Sequence, residues 1–243
     1  MLGYKKIFDD CSRKTDVDYD EFRSSQRFYF VCNNEIESVS KYLTIAHDTN
    51  ADLYKKYLLI EKPTKGYKNS DFVVFDNLDA QHLMLSTWVF DKITIKNKTV
   101  IEIGGGFGNF FRINQWQPFN QWIIYDLPFV QELQKWYLSD ILTDRLKYAK
   151  AYTETTTIDV VDNVQLALVV HSLSEFDIDT FINYLPILTK CNYILYVKNN
   201  EYPCKQLLNI KDAFLLEFCS VVDTLTYDNG HVTAVLYKTN LVD

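Results

Sequence analysis

The chain has 243 residues, 47% of them hydrophobic, which suffices for one full α/β domain and a smaller appendage. Its net charge is −7, from 32 acidic and 25 basic residues, and Lys5-Lys6, Lys55-Lys56 and the lysines from Lys62 to Lys68 stay small and scattered. No basic patch of the kind that grips phosphates stands out, so neither DNA nor long RNA is an expected partner.

Charge appears at Lys5-Lys6 before any long apolar stretch, so no signal peptide is expected, and the longest apolar runs are strand-sized, so no membrane span is expected either. The cysteines are Cys11, Cys32, Cys191, Cys204 and Cys219. Their odd number and wide spacing read as reduced thiols in a cytoplasmic setting rather than disulfides or zinc ligands. From Asn34 to Ala46 the apolar residues Ile36, Val39, Tyr42, Leu43 and Ala46 recur at helical spacing. A second helix is expected over Ala51–Leu59, a polar loop over Glu61–Ser70, and a third helix over Leu78–Ile93 with Asp79 as its cap. Residues 1–95 thus read as a helical N-terminal region that packs on or lids the domain after it.

The rhythm changes after Lys96. Strands are expected at Thr99–Ile103, Gln121–Tyr125, Arg145–Ala151, Gln165–Val170 and Tyr193–Lys198, a sixth within Ala213–Thr226, and a last at His231–Tyr237. Helices are expected from Phe110 to Trp116, Phe129 to Leu142 and Ile178 to Leu188. Strands alternating with helices argue for a doubly wound, Rossmann-like α/β fold with a mostly parallel seven-stranded sheet over residues 96–243. Asp228-Asn229-Gly230 reads as a hairpin turn, so the last strand should run antiparallel to its neighbour.

Four of the seven glycines fall in one stretch, Val100-Ile101-Glu102-Ile103-Gly104-Gly105-Gly106-Phe107-Gly108-Asn109. A strand, a glycine turn and a helix bring backbone N–H groups close to a ligand. A dinucleotide fingerprint wants a third glycine where Asn109 stands, so that pattern fails. A tight turn without a ligand is the plain alternative. Further on, Asp126 ends the second strand in Tyr125-Asp126-Leu127-Pro128. A carboxylate there can accept hydrogen bonds from both ribose hydroxyls of a nucleoside. It can equally be an ordinary turn aspartate before proline.

The pattern Glu102-x-Gly104-x-Gly106-x-Gly108 resembles motif I of the class I S-adenosylmethionine (SAM) methyltransferases. With Asp126-Leu127-Pro128, Leu133-Gln134-Lys135-Trp136-Tyr137-Leu138 and His171-Ser172-Leu173-Ser174-Glu175, it resembles the sugar O-methyltransferase family of bacterial and viral glycan loci. The match covers roughly residues 80–200 and departs from the family where Val169 and Val170 stand in place of an asparagine. The resemblance implies SAM as cofactor, bound through Glu102, Gly104, Gly105, Gly106, Gly108 and Asp126, with Leu127 against the adenine.

Methyl transfer to a hydroxyl is helped by a positioned base. His171, at the carboxyl end of an apolar strand, is the candidate. It could instead be structural. Glu175 could orient His171, bond a sugar hydroxyl, or simply favour a helix N-terminus. His82 is a candidate acceptor-site residue, with an ordinary helix histidine as the alternative. Asp159 and Asp162 look like loop residues, and no metal is expected. The expected substrate is a small sugar or nucleotide-sugar, with homo-oligomerisation left open. Rival readings are methylation of another small acceptor, or a SAM- or nucleotide-sugar-binding partner protein without catalysis.

Overall fold

The computed structural model describes residues 36–60, 76–141, 144–151, 161, 163–200 and 205–240. Glu61–Ser70, Asp159, Asp162, Cys11, Cys32 and Cys204 lie outside the described residues, as do Asn34 and Glu35. Two compact units divide the chain. The first draws on Met1–Thr94, Phe107–Trp116 and Glu132–Ile141, and the second on Ile95–Gly106, Gln117–Gln131 and Leu142–Asp243. A division at residue 95 would be linear; here two later segments group with the N-terminal helices.

The first unit holds α1 (Ile36–Thr49), α2 (Ala51–Leu58), α3 (Asn77–Lys92) and α4 (Asn109–Asn114). Asn50 caps α2 by accepting from the Leu53 N–H at 3.0 Å. The cap of α3 is Asp76, not Asp79. Asp76 accepts from the Asp79 N–H at 2.7 Å while Asp79 accepts from the Asp76 N–H at 3.4 Å, a reciprocal capping box. Asp79 is thus the third helical residue. Ala80, Leu83, Met84, Leu85, Trp88 and Val89 are all buried, so α3 is a core helix rather than a surface one.

The second unit carries a seven-stranded sheet: β1 (Thr99–Ile103), β2 (Gln121–Asp126), β3 (Leu146–Lys150), β4 (Val164–Val170), β5 (Cys191–Asn199), β6 (Cys219–Tyr227) and β7 (Val232–Thr239). Their order is β3-β2-β1-β4-β5-β7-β6. The first five strands pair in parallel, while β7 inserts antiparallel between β5 and β6. Helices α5 (Pro128–Tyr137, shared between the units), α6 (Ser172–Glu175), α7 (Ile178–Leu188) and α8 (Lys205–Phe218) complete the order. The sheet is mostly parallel, Rossmann-like, and closed by an antiparallel last strand, as expected. Helix and strand share the stretch expected to hold the sixth strand. Ala213–Phe218 is the end of helix α8, and the sixth strand starts only at Cys219.

Every residue of β1 is buried, the mark of a strand covered on both faces. On one face Ile101, Ile103, Ile123, Tyr125, Val169 and Tyr196 pack with Phe181, Tyr184, Ile187 and Leu188 of α7 and Leu215 of α8. Full burial of each such side chain contributes about 1.5–3 kcal/mol. This core fixes the strand ends, and with them the carboxyl edge of the sheet. The Asp228–Gly230 turn uses positive φ at all three residues, at 53°, 54° and 91°.

Candidate functional site

Three strand ends meet at the carboxyl edge of the sheet in the second unit. Ile103 of β1 is in register with Tyr125 of β2, and the Gly104 N–H donates to the Tyr125 carbonyl at 2.9 Å. Asp126 is the next residue on β2 and so stands beside the glycine turn. On the other side of β1, β4 ends at Val170, and the Ser172 hydroxyl donates to the Ile103 carbonyl. The His171 N–H donates to the Val197 carbonyl of β5 at 3.0 Å. Glu102, Gly104, Gly105, Gly106, Asp126, Leu127, His171 and Glu175 therefore belong to one unit. Gly108 and His82 belong to the other.

The four glycines differ in what their missing side chains permit. A Cβ on Gly104 would lie 2.5 Å from Ser172 Cβ, so that glycine admits the β4–α6 turn. A Cβ on Gly105 would come within 2.7 Å of Ile124 Cγ2, and one on Gly108 within 2.7 Å of Leu138 Cδ1. These three are demanded by protein packing. Gly106 has φ +56°, and a Cβ there would meet nothing within 4 Å. Of the four, it is the one beside which no described residue fills the space, so that backbone there can approach a ligand.

Glu102 is buried at 3% exposure and accepts from Trp122 Nε1 at 2.9 Å. Burial pushes its carboxyl up to about 8, opposed by the Trp122 bond and helped by the charge of Asp126. At neutral pH Glu102 is largely protonated, so the acid that opens the glycine motif serves the sheet interior as a neutral group. Asp126 is also buried, and its Oδ1 accepts from the Leu127 N–H at 2.8 Å. Leu127 itself is exposed, an apolar side chain beside a carboxylate.

His171 takes φ +63°, ψ −28°, a left-handed conformation that costs a non-glycine residue about 1–2 kcal/mol. Such strain persists where surrounding bonds over-determine it, and it clusters at functional sites. As residues, His171 and Glu175 are each half-buried, and neither side chain makes a hydrogen bond among the described residues. Burial holds the His171 imidazole down at about 4 and pushes Glu175 upward. His171 is therefore neutral near pH 7, with a lone pair free to take a proton.

His82 sits in a different network. The Asn109 side-chain amide donates to His82 Nδ1 at 3.3 Å, and the ring lies 5.1 Å from that of Phe110. Asn109 Oδ1 accepts from Arg112 Nε at 3.0 Å and Tyr137 OH at 3.3 Å, while Arg112 pairs with Asp79 at 3.1 Å. The residue that replaces a dinucleotide-site glycine is thus a buried hub of the first unit.

Sequence reasoning assigns no role to Ser172, Trp122 or Lys211. Trp122 has a signal, since a buried acid inside an apolar strand needs a donor nearby. Ser172 and Lys211 have none, because their partners are backbone carbonyls distant in sequence. Among the described residues no group of three His, Cys, Asp or Glu side chains could hold a metal ion, and no helix is long and apolar enough to cross a membrane.

No family model and no curated protein matches the chain. Solved structures do. The PH0226 protein from Pyrococcus horikoshii OT3 is similar at 8% identity and a TM-score of 0.50, over 64% of this chain and 88% of that one. A TehB-like SAM-dependent methyltransferase from Corynebacterium glutamicum is similar at 9% identity and a TM-score of 0.49, over 63% and 85%. The mitomycin 7-O-methyltransferase is similar at 19% identity and a TM-score of 0.47, over 67% of this chain and 57% of that one. At such identities the likeness is one of fold.

Proposed function

We propose that this chain is a SAM-dependent methyltransferase that methylates a sugar hydroxyl, free, nucleotide-linked or in a glycan, in the cytoplasm. One juxtaposition carries the cofactor reading. A Cβ on Gly106, just past the tip of β1, would meet none of the described residues, while Asp126 stands at the adjoining tip of β2. Backbone there can lie against a ligand, and a carboxylate beside it can accept from ribose hydroxyls. The exposed Leu127 next to Asp126 offers an apolar surface for a purine. This donor set fits a nucleoside that carries no 2′-phosphate, because Asp126 would repel one. Gly104 and Gly105 hold the turn in shape, and Glu102 stays neutral beneath it.

SAM would supply an electrophilic methyl group on its sulfonium. The chain's own contribution is orientation of the acceptor and removal of its proton. His171, neutral at pH 7, can accept that proton from the attacking hydroxyl. Its low basicity is no obstacle, because a hydroxyl whose oxygen is gaining a carbon becomes a far stronger acid than imidazolium. Glu175, one turn along, would bond a second hydroxyl. The sugar acceptor rests on the resemblance of the Asp126–Pro128 and His171–Glu175 segments to the glycan-locus family.

Calorimetry with SAM tests the first half, and absence of binding by the wild-type chain refutes it. Transfer of isotopic methyl from SAM to a panel of nucleoside-diphosphate sugars, against phenols and amines, tests the second. Label on phenol or amine alone refutes the sugar.

A further inference from the structure

The segment from His171 to Phe176 is tied down by its backbone far more than a single helical turn requires. At its start the His171 N–H bonds Val197 O, and the Ser172 hydroxyl bonds Ile103 O. Within it the Ser174 N–H and hydroxyl both donate to the His171 carbonyl. At its end a side chain from α8 takes over. Lys211 Nζ donates to Leu173 O at 2.7 Å and to Phe176 O.

Lys211 is fully buried, at 0% exposure. Lysine is almost never buried to that extent without a compensating role. Helix α6 is four residues long, too short to hold itself, and its last carbonyls need donors from elsewhere. An ammonium at the C-terminal end of a helix meets both the carbonyls and the negative pole. The neighbouring residue repeats the grip on the other side. Asp212 pairs with Lys198, which comes directly after the Val197 whose carbonyl holds the His171 N–H. Consecutive residues of α8 thus brace both supports of His171, while the imidazole ring itself makes no hydrogen bond among the described residues.

We infer that Lys211 is a positioning residue, whose buried ammonium fixes the His171–Phe176 turn and so aims the His171 ring at the acceptor. The inference deepens the proposed function and rests on His171 standing at the reacting hydroxyl.

The chain has four histidines, His47, His82, His171 and His231, so their ring signals in a proton–carbon NMR spectrum are few, and His171→Asn assigns the one that matters. In Lys211→Met the His171 signal is expected to shift and broaden while the other three keep their positions. SAM affinity by calorimetry is expected to stay at the wild-type value. Lys211→Gln, which retains a donor, is expected to move the signal less, and it carries the test if the methionine variant does not fold. An unmoved His171 signal in whichever variant folds overturns the inference, and so does a shift of all four signals together. Failure of the wild-type chain to bind SAM would overturn the methyltransferase reading instead, and the His171 signal would still report on Lys211.

Discussion

Alanine at Gly106 and alanine at Gly105 should separate cofactor binding from folding. At Gly106 the added methyl meets no described residue within 4 Å, so the stability cost is backbone strain at φ +56°. That strain is about 1–2 kcal/mol, partly offset by about 0.4–1 kcal/mol from a stiffer unfolded chain. The net is ~1 kcal/mol, or about 2–4 °C in Tm for a chain of this size. Yet the methyl would stand in the space assigned to the cofactor, so SAM affinity should fall at least about tenfold, equivalent to ~1.4 kcal/mol. At Gly105 the methyl would press to 2.7 Å from Ile124 Cγ2 and 3.3 Å from Glu102 Cδ. Ile124 lies within β2 at 0% exposure and has nowhere to go. Overpacking of that kind costs about 1–3 kcal/mol. Gly105→Ala should therefore lose more Tm and less affinity than Gly106→Ala. Thermal melts without ligand and calorimetry with SAM read the two effects separately. Wild-type SAM affinity in Gly106→Ala would refute the assignment of that open space to the cofactor.

His171→Ala should lower the rate of methyl transfer by about 10²–10⁴ while leaving SAM affinity intact, as read by initial rates and calorimetry. With the imidazole held at about 4, wild-type turnover should be flat near neutrality and fall only as pH drops toward that value; a rise through 6.5 would contradict the burial of the ring. Glu102 makes stability pH-dependent in the opposite sense. Its folded value of about 8 exceeds the ordinary 4.5, so its contribution is full below 4.5 and disappears as pH climbs through 8. Urea midpoints across that window should fall more steeply for wild type than for Glu102→Gln. His171 adds the reverse slope, its contribution present above 6.5 and lost as pH falls through about 4, which His171→Asn should abolish. In the first unit, Asp79→Ala removes a carboxylate 3.1 Å from the buried Arg112 guanidinium and should cost about 3–5 kcal/mol in urea denaturation. Arg112→Met added to it should recover part of that loss.

Local pattern alone locates much of the fold. β1, β2, β4 and β5 are short apolar runs bounded by polar residues, and a strand buried on both faces leaves that trace in any register. The Asp228-Asn229-Gly230 turn is legible because those residues tolerate positive φ. Helix α8 is not, since Phe218 passes into Cys219 with no glycine or proline to mark the change, and its apolar end reads equally well as strand. Spacing places the cap of α3 one turn late because Asp76 and Asp79 are the same residue type three apart, and only the hydrogen bonds tell which is outside the helix.

The residues of the candidate site can be named from the sequence, because glycine, aspartate and histidine at strand ends are local signals. Their division of labour cannot. Whether a glycine admits a ligand or a neighbouring side chain depends on what stands opposite it, and Ser172, Ile124 and Leu138 come from other elements. Whether Glu102 is charged depends on its burial beside Trp122, and whether His171 stays neutral depends on the burial of its ring. The grip of Lys211 on two carbonyls 38 and 35 residues away exists only once α8 lies against the sheet edge. Composition and spacing determine which groups are available at the carboxyl edge; packing decides which of them face each other, which are desolvated, and which are left open to a ligand.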